Sequence, residues 1–91
     1  MRESDIEKYL VAQVKALGGE VRKVQWVGRR GAPDRLVMLP HAGLRSTIWV
    51  ELKAPGVKAK PHQLREHARM TAMHQWVVVI DSLEGVDELL A

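Results

Sequence analysis

Two short runs of strand-forming residues, Leu36-Val37-Met38-Leu39 and Thr47-Ile48-Trp49-Val50, are separated only by a turn-rich stretch carrying Pro40, Gly43 and Ser46. Apolar and β-branched runs bounded by turn formers read as strands, and a connection this short folds them into an antiparallel hairpin. Side chains alternate along a strand, so register decides which residues can meet. A pairing of Leu36 with Trp49 is feasible, and it brings Asp34 beside Glu51. Glu51 and Lys53 then point one way, while Leu52 points into the opposite layer with Val50 and Ile48. Two carboxylates and an amine are thereby expected on one face of a small sheet.

The flanking segments complete the pattern. Ser4 to Leu17 carries Ile6, Leu10, Val14 and Leu17 at helical spacing, with Gly18-Gly19 as a stop and Ser4 with Glu7 as a capping box. Glu20 to Val27 suggests a strand, followed by the basic loop Gly28-Arg29-Arg30-Gly31, whose glycines would let the backbone approach a phosphate closely. After a loop over 54–60, Pro61 suits the first turn of a helix running to about Met73, with Leu64, Ala68 and Ala72 on one stripe and His74 ending it. Trp76 to Ile80 reads as a strand buried on both faces, and Asp81 or Ser82 caps a last acidic helix ending in Leu89-Leu90. The order is αβββαβα. A helix between the third and fourth strands permits a parallel crossover, so a mixed β-sheet flanked by helices is expected, an α/β fold occupying residues 1–91 as a single domain.

Charge is unevenly spread. Residues 22–69 hold eleven Lys or Arg against Asp34, Glu51 and Glu66, a net +8, whereas residues 1–21 and 70–91 carry −1 and −4. Such a basic segment attracts polyanions, although a solvated surface has the same composition. With no cysteine, disulfides and thiolate zinc sites are excluded, and any metal must use oxygen or imidazole ligands. No apolar stretch approaches a membrane span, and the charged start is unlike a signal peptide, so a cytoplasmic protein is expected.

Hard divalent cations such as Mg²⁺ or Mn²⁺ prefer carboxylate, carbonyl and water ligands. Asp34, Glu51 and the Leu52 backbone carbonyl form such a set, and Lys53 could orient an attacking water or stabilise charge on a phosphate. Each residue alone has a plain structural explanation: Asp34 as a turn residue, Glu51 with Lys53 as an edge pair, Gln63 as a surface amide. His41, His62, His67 and His74 show no metal-ligand spacing, His62 and His67 reading as phosphate contacts or surface groups, and Trp26, Trp49 and Trp76 read most simply as core or interface residues.

Taken together, Pro33-Asp34 and Glu51-x-Lys53 in this strand context resemble the PD-(D/E)xK nuclease superfamily. The fuller string Arg30-Gly31-Ala32-Pro33-Asp34, then Val50-Glu51-Leu52-Lys53, then Gln63, resembles its VRR-NUC branch, with Ala32 where Val is more common. The resemblance implies a restriction-endonuclease-like fold and Mg²⁺- or Mn²⁺-dependent DNA cleavage. It carries catalytic roles to Asp34, Glu51, Lys53 and Gln63, and a metal contact to Glu7, with Glu3 as the alternate. Short stand-alone members are typical of phage and resemble Holliday-junction resolvases, which act as homodimers. The leading expectation is therefore a structure-selective endonuclease on branched DNA, with Arg29, Arg30, Lys58, Lys60 and Arg65 touching the phosphate backbone. A non-catalytic DNA-binding or assembly module with the same fold is the second.

Overall fold

The computed structural model describes residues 1–40 and 46–91. Its elements are α1 (Glu3–Ala16), β1 (Glu20–Lys23), β2 (Arg35–Met38), β3 (Thr47–Leu52), α2 (Pro61–Ala72), β4 (Val77–Ile80) and α3 (Leu83–Leu90). They form a mixed α/β fold in the expected αβββαβα order. The sheet runs β1-β2-β3-β4, antiparallel except for the β3–β4 pair, which the α2 crossover makes parallel. The hairpin has the expected register, Leu36 opposite Trp49 and Arg35 opposite Val50. Its turn lies mostly on residues 41–45, outside the described residues, as does His41.

One face of the sheet makes the core. Ile6, Leu10 and Val14 of α1 lie against Val37, Ile48, Val50, Leu52 and Ile80, with Val86 of α3 closing the layer. These α1 positions follow the helical period, and each side chain taken from water contributes about 1.5–3 kcal/mol. Tyr9 of α1 donates its hydroxyl to Asp87 of α3 at 2.6 Å, tying the two helices on the same side.

Several boundaries differ from expectation, each for a local reason. The first helix starts at Glu3, and it is Asp5, not Glu7, that accepts the Arg2 N–H, at 2.7 Å; Ser4 lies inside the helix. That frees Glu7 for a tertiary partner. β1 ends at Lys23, four residues early, because after the Val24 N–H donates to the Asp34 carbonyl the chain leaves the sheet and Trp26 folds back to hydrogen-bond Pro33. β4 is an edge strand rather than a doubly buried one, with Val79 40% exposed. The final helix is capped by Ser82, whose hydroxyl accepts the Gly85 N–H at 2.9 Å.

The α2 helix turns its polar side inward and its apolar stripe outward. Glu66, His67 and Met70 are buried, whereas Leu64, Ala68 and Ala72 face solvent. A charged pair of positions can go inward only where partners await them. Here Arg29 and the Gly31 backbone supply them.

Candidate active site

The hairpin register carries Asp34 and Glu51 to the face of the sheet opposite the core. Glu51 is 7% exposed, and its Oε2 lies 4.0 Å from Lys53 Nζ, as strand parity requires. Burial, and then the neighbouring charge of Asp34, push the Glu51 pKa up from 4.5 to about 7, against the pull of Lys53. Asp34 turns Oδ2 to the Arg35 guanidinium at 3.0 Å, while its Oδ1 is buried with no hydrogen-bond partner.

Main-chain geometry adds a third oxygen. The Trp49 and Lys53 N–H groups donate to the Trp76 and Ile80 carbonyls of the β4 side, so the alternate residues Val50 and Leu52 direct theirs toward β2. Continuing the Arg35–Val50 register puts Pro33 opposite Leu52. Proline has no N–H, so the Leu52 carbonyl meets no ladder donor there. An orphaned carboxylate oxygen and a neighbouring carboxylate whose charge is disfavoured, with a main-chain carbonyl at the strand end beside them, fit the donor set of a hard divalent cation. Among the described residues no three His, Cys, Asp or Glu side chains converge, so water and substrate oxygens would complete its coordination.

Glu7 is placed elsewhere. Its Oε2 accepts from Arg35 Nε at 2.9 Å and from Arg35 Nη2. Arg35 shares the core face with Val37 and is 7% exposed, so a carboxylate on α1 is the partner its burial requires. The Glu7 carboxylate, expected at the metal, is thus bonded to the arginine that also holds Asp34. The alternate, Glu3, is felt electrostatically at Glu51.

Gln63 also has a structural duty. Its Oε1 accepts the Lys60 N–H at 2.8 Å, capping α2 three residues upstream. The same helix end is packed against Gly31, where φ is +85° and an added Cβ would lie 2.8 Å from the His62 carbonyl oxygen. Gly31 therefore serves close approach to a helix.

Glu66, left without a role in the sequence, and His67, read there as a phosphate contact or surface group, fasten this loop. Glu66, 3% exposed, takes a bidentate bond from Arg29 at 2.9 and 2.8 Å and a second from Arg69 at 2.9 Å. The two guanidiniums hold its pKa down at about 2. Next to it, His67 hydrogen-bonds the Gly31 backbone, and burial outweighs that bond to lower its pKa, with Nε2 buried and unpartnered. The only signal in the sequence was a lone acid in a basic segment. Arg29 is consequently a loop anchor more than an outward contact.

The remaining cations do gather. Arg30, Lys60, Arg65 and Lys53 all act on His62, and with its burial they lower its pKa. Lys58 is exposed on the loop before α2. Positive potential therefore accumulates where the N-terminus of α2 meets the acid pair.

No family model matches the chain. A curated relative, "Putative nuclease p44" of Acyrthosiphon pisum secondary endosymbiont phage 1, is 52% identical over 82 residues, covering 90% of this chain and 85% of the phage protein. A solved structure described as a VRR_NUC domain superposes with a TM-score of 0.83 at 43% identity, covering 97% of this chain and 92% of the other. With the Pro33-Asp34 and Glu51-x-Lys53 geometry in place on that fold, the chain belongs to the VRR-NUC family of nucleases.

Proposed function

We propose that this protein is a metal-dependent, structure-selective DNA endonuclease that hydrolyses phosphodiester bonds in branched DNA, Holliday junctions among them. The observation that carries the reading is the disfavoured charge of Glu51 beside Asp34: two carboxylates held together on a face where Lys53 only partly offsets them. Asp34, Glu51 and the Leu52 carbonyl would hold Mg²⁺ or Mn²⁺. When bound, the cation would neutralise charge on the scissile phosphate and acidify the attacking water. Lys53 holds a positive charge at the same phosphate and orients the water, and Arg35 keeps Asp34 in position from behind. Gln63, as the cap of α2, fixes the helix end whose backbone and cations meet the substrate.

Arg30, Lys58, Lys60 and Arg65 position the DNA backbone without reading its sequence. A homodimer supplies the paired incisions a junction needs, since two-fold symmetry duplicates a one-strand site. The exposed Leu64, Ala68 and Ala72 stripe of α2 is apolar surface that a second copy can cover. A bacterial or phage-infected cytoplasm, reducing and rich in replicating DNA, suits a cysteine-free enzyme.

Cleavage of four-way junctions, flaps and linear duplex in Mn²⁺, run beside sedimentation mass, tests this. Incision of branched substrates by the native protein and not by Glu51→Gln is expected. Equal inactivity of both on every substrate would overturn it and leave the non-catalytic DNA-binding module standing.

A further inference from the structure

Beside the acid pair lies an aromatic pair that the phosphodiester chemistry leaves unused. Trp49 projects from β3 on the same face as Glu51, two residues away, and Trp26 folds over it with ring centroids 5.3 Å apart at 49°. Their positions are set by hydrogen bonds, not by packing alone. Trp26 Nε1 donates to the Pro33 carbonyl at 2.7 Å, one residue before Asp34, and Trp49 Nε1 donates to Gln75 at 3.0 Å. Both indole N–H groups are therefore spent on the protein. What Trp26 offers to solvent, 38% exposed, is aromatic surface, and the next residue, Val27, is 99% exposed.

A large aromatic left in water costs hydrophobic stabilisation, and a helix could have covered it. Its occupant can be argued from charge. The loop that leads from Trp26 to Asp34 carries Arg30, which acts together with Lys53, Lys60 and Arg65 on His62. A second copy seated over Trp26 by two-fold symmetry would bring two such cationic groups together. A nucleotide satisfies both features at once, with its phosphate toward the cations and its base on the indole.

We propose that Trp26, backed by Trp49, is a stacking seat for one unpaired nucleobase next to the scissile phosphate. The seat supplies the structure selectivity of the nuclease: paired bases are already stacked on their neighbours, whereas a base at a branch or flap is open to an indole. Because the Pro33 carbonyl holds Trp26, the seat keeps a set relation to Asp34. The inference rests on the nuclease reading above.

A flap oligonucleotide with 2-aminopurine at the unpaired position next to the branch tests it in EDTA, where no cleavage intervenes. Anisotropy reports binding and 2-aminopurine emission reports stacking. The native protein and Trp26→Phe should quench the probe, and Trp26→Ala should not. The ratio of flap to duplex affinity should fall roughly 5- to 150-fold in Trp26→Ala, the range for one lost base–aromatic stack. Binding without quenching by the native protein overturns the seat while leaving the nuclease reading intact. So does a drop in solution mass in Trp26→Ala with the affinity ratio unchanged, which would assign the surface to a second copy. Failure to bind any DNA overturns both.

Discussion

Replacing Glu51 by glutamine should make the metal-free protein more stable while removing its metal response. In the folded chain the Glu51 carboxyl keeps its proton to a pH of about 7, against 4.5 for an ordinary glutamate, chiefly because burial and then Asp34 disfavour its charge. The unfolded chain releases that proton from about pH 4.5. Between those values the unfolded state binds fewer protons, so stability falls as pH rises. The carboxyl's favourable contribution is complete below pH 4.5 and lost as the pH climbs through about 7. With each tenfold change in proton affinity worth 1.36 kcal/mol, the loss at pH 8 is on the order of 3 kcal/mol. The glutamine has no charge to disfavour, but its buried amide can lose a partner at a cost of about 1 kcal/mol or more. A net gain of about 1–2 kcal/mol remains. In a domain of this size that raises Tm by roughly 4–16 °C.

Thermal melts by circular dichroism at pH 5, 6, 7 and 8 in EDTA measure this directly. The two proteins should converge at pH 5 and separate toward pH 8. Added Mn²⁺ should then reverse the order, since a ligand at a hundred times its Kd stabilises only the protein that binds it, by about 2.7 kcal/mol. Parallel pH profiles, or a Glu51→Gln protein less stable at pH 8 in EDTA, would refute the argument that this site is strained by its own charge.

Three further outcomes are expected. Asp34→Asn removes one donor and the charge that helps raise the Glu51 pKa, so calorimetric Mn²⁺ affinity should fall at least about tenfold and the pH-dependent loss of stability, whose onset the unfolded chain fixes, should be smaller and end at lower pH. Gly31→Ala places a Cβ 2.8 Å from the His62 carbonyl oxygen at φ +85°, which should cost about 1–3 kcal/mol in urea unfolding and weaken metal binding through the shifted loop. Glu66, held near a pKa of about 2 by Arg29 and Arg69, contributes stability present above pH 4.5 and lost as the pH falls toward 2; the Glu66→Gln protein should be less stable at pH 7 and show a flatter acid limb.

The central strands, the element order and the shared face of Glu51 and Lys53 were legible in the chain because they follow from short-range rules, and the register that sets Asp34 beside Glu51 was legible as one feasible pairing. Side chains alternate in a strand, turn formers bracket it, and one residue pairing propagates along the whole hairpin. Partner choice among charged side chains is different. Glu7 reads equally well as a helix cap or a ligand, and only the docking of α1 supplies its bond to Arg35; Glu66 reads as one acid in a basic segment until Arg29 arrives from a loop 37 residues away in sequence. The expected apolar stripe of α2 failed for the same reason: Glu66 and His67 were drawn inward by partners that periodicity does not encode. Trp26 shows the limit most plainly. Composition made it a packing residue, but only the folded chain decided that its N–H would bind Pro33 and its ring would stand in solvent beside the acids. Local conformational preference and alternation act within a few residues and can be read along the chain, whereas burying a charge or exposing a ring is settled by which distant groups the fold brings within hydrogen-bonding distance.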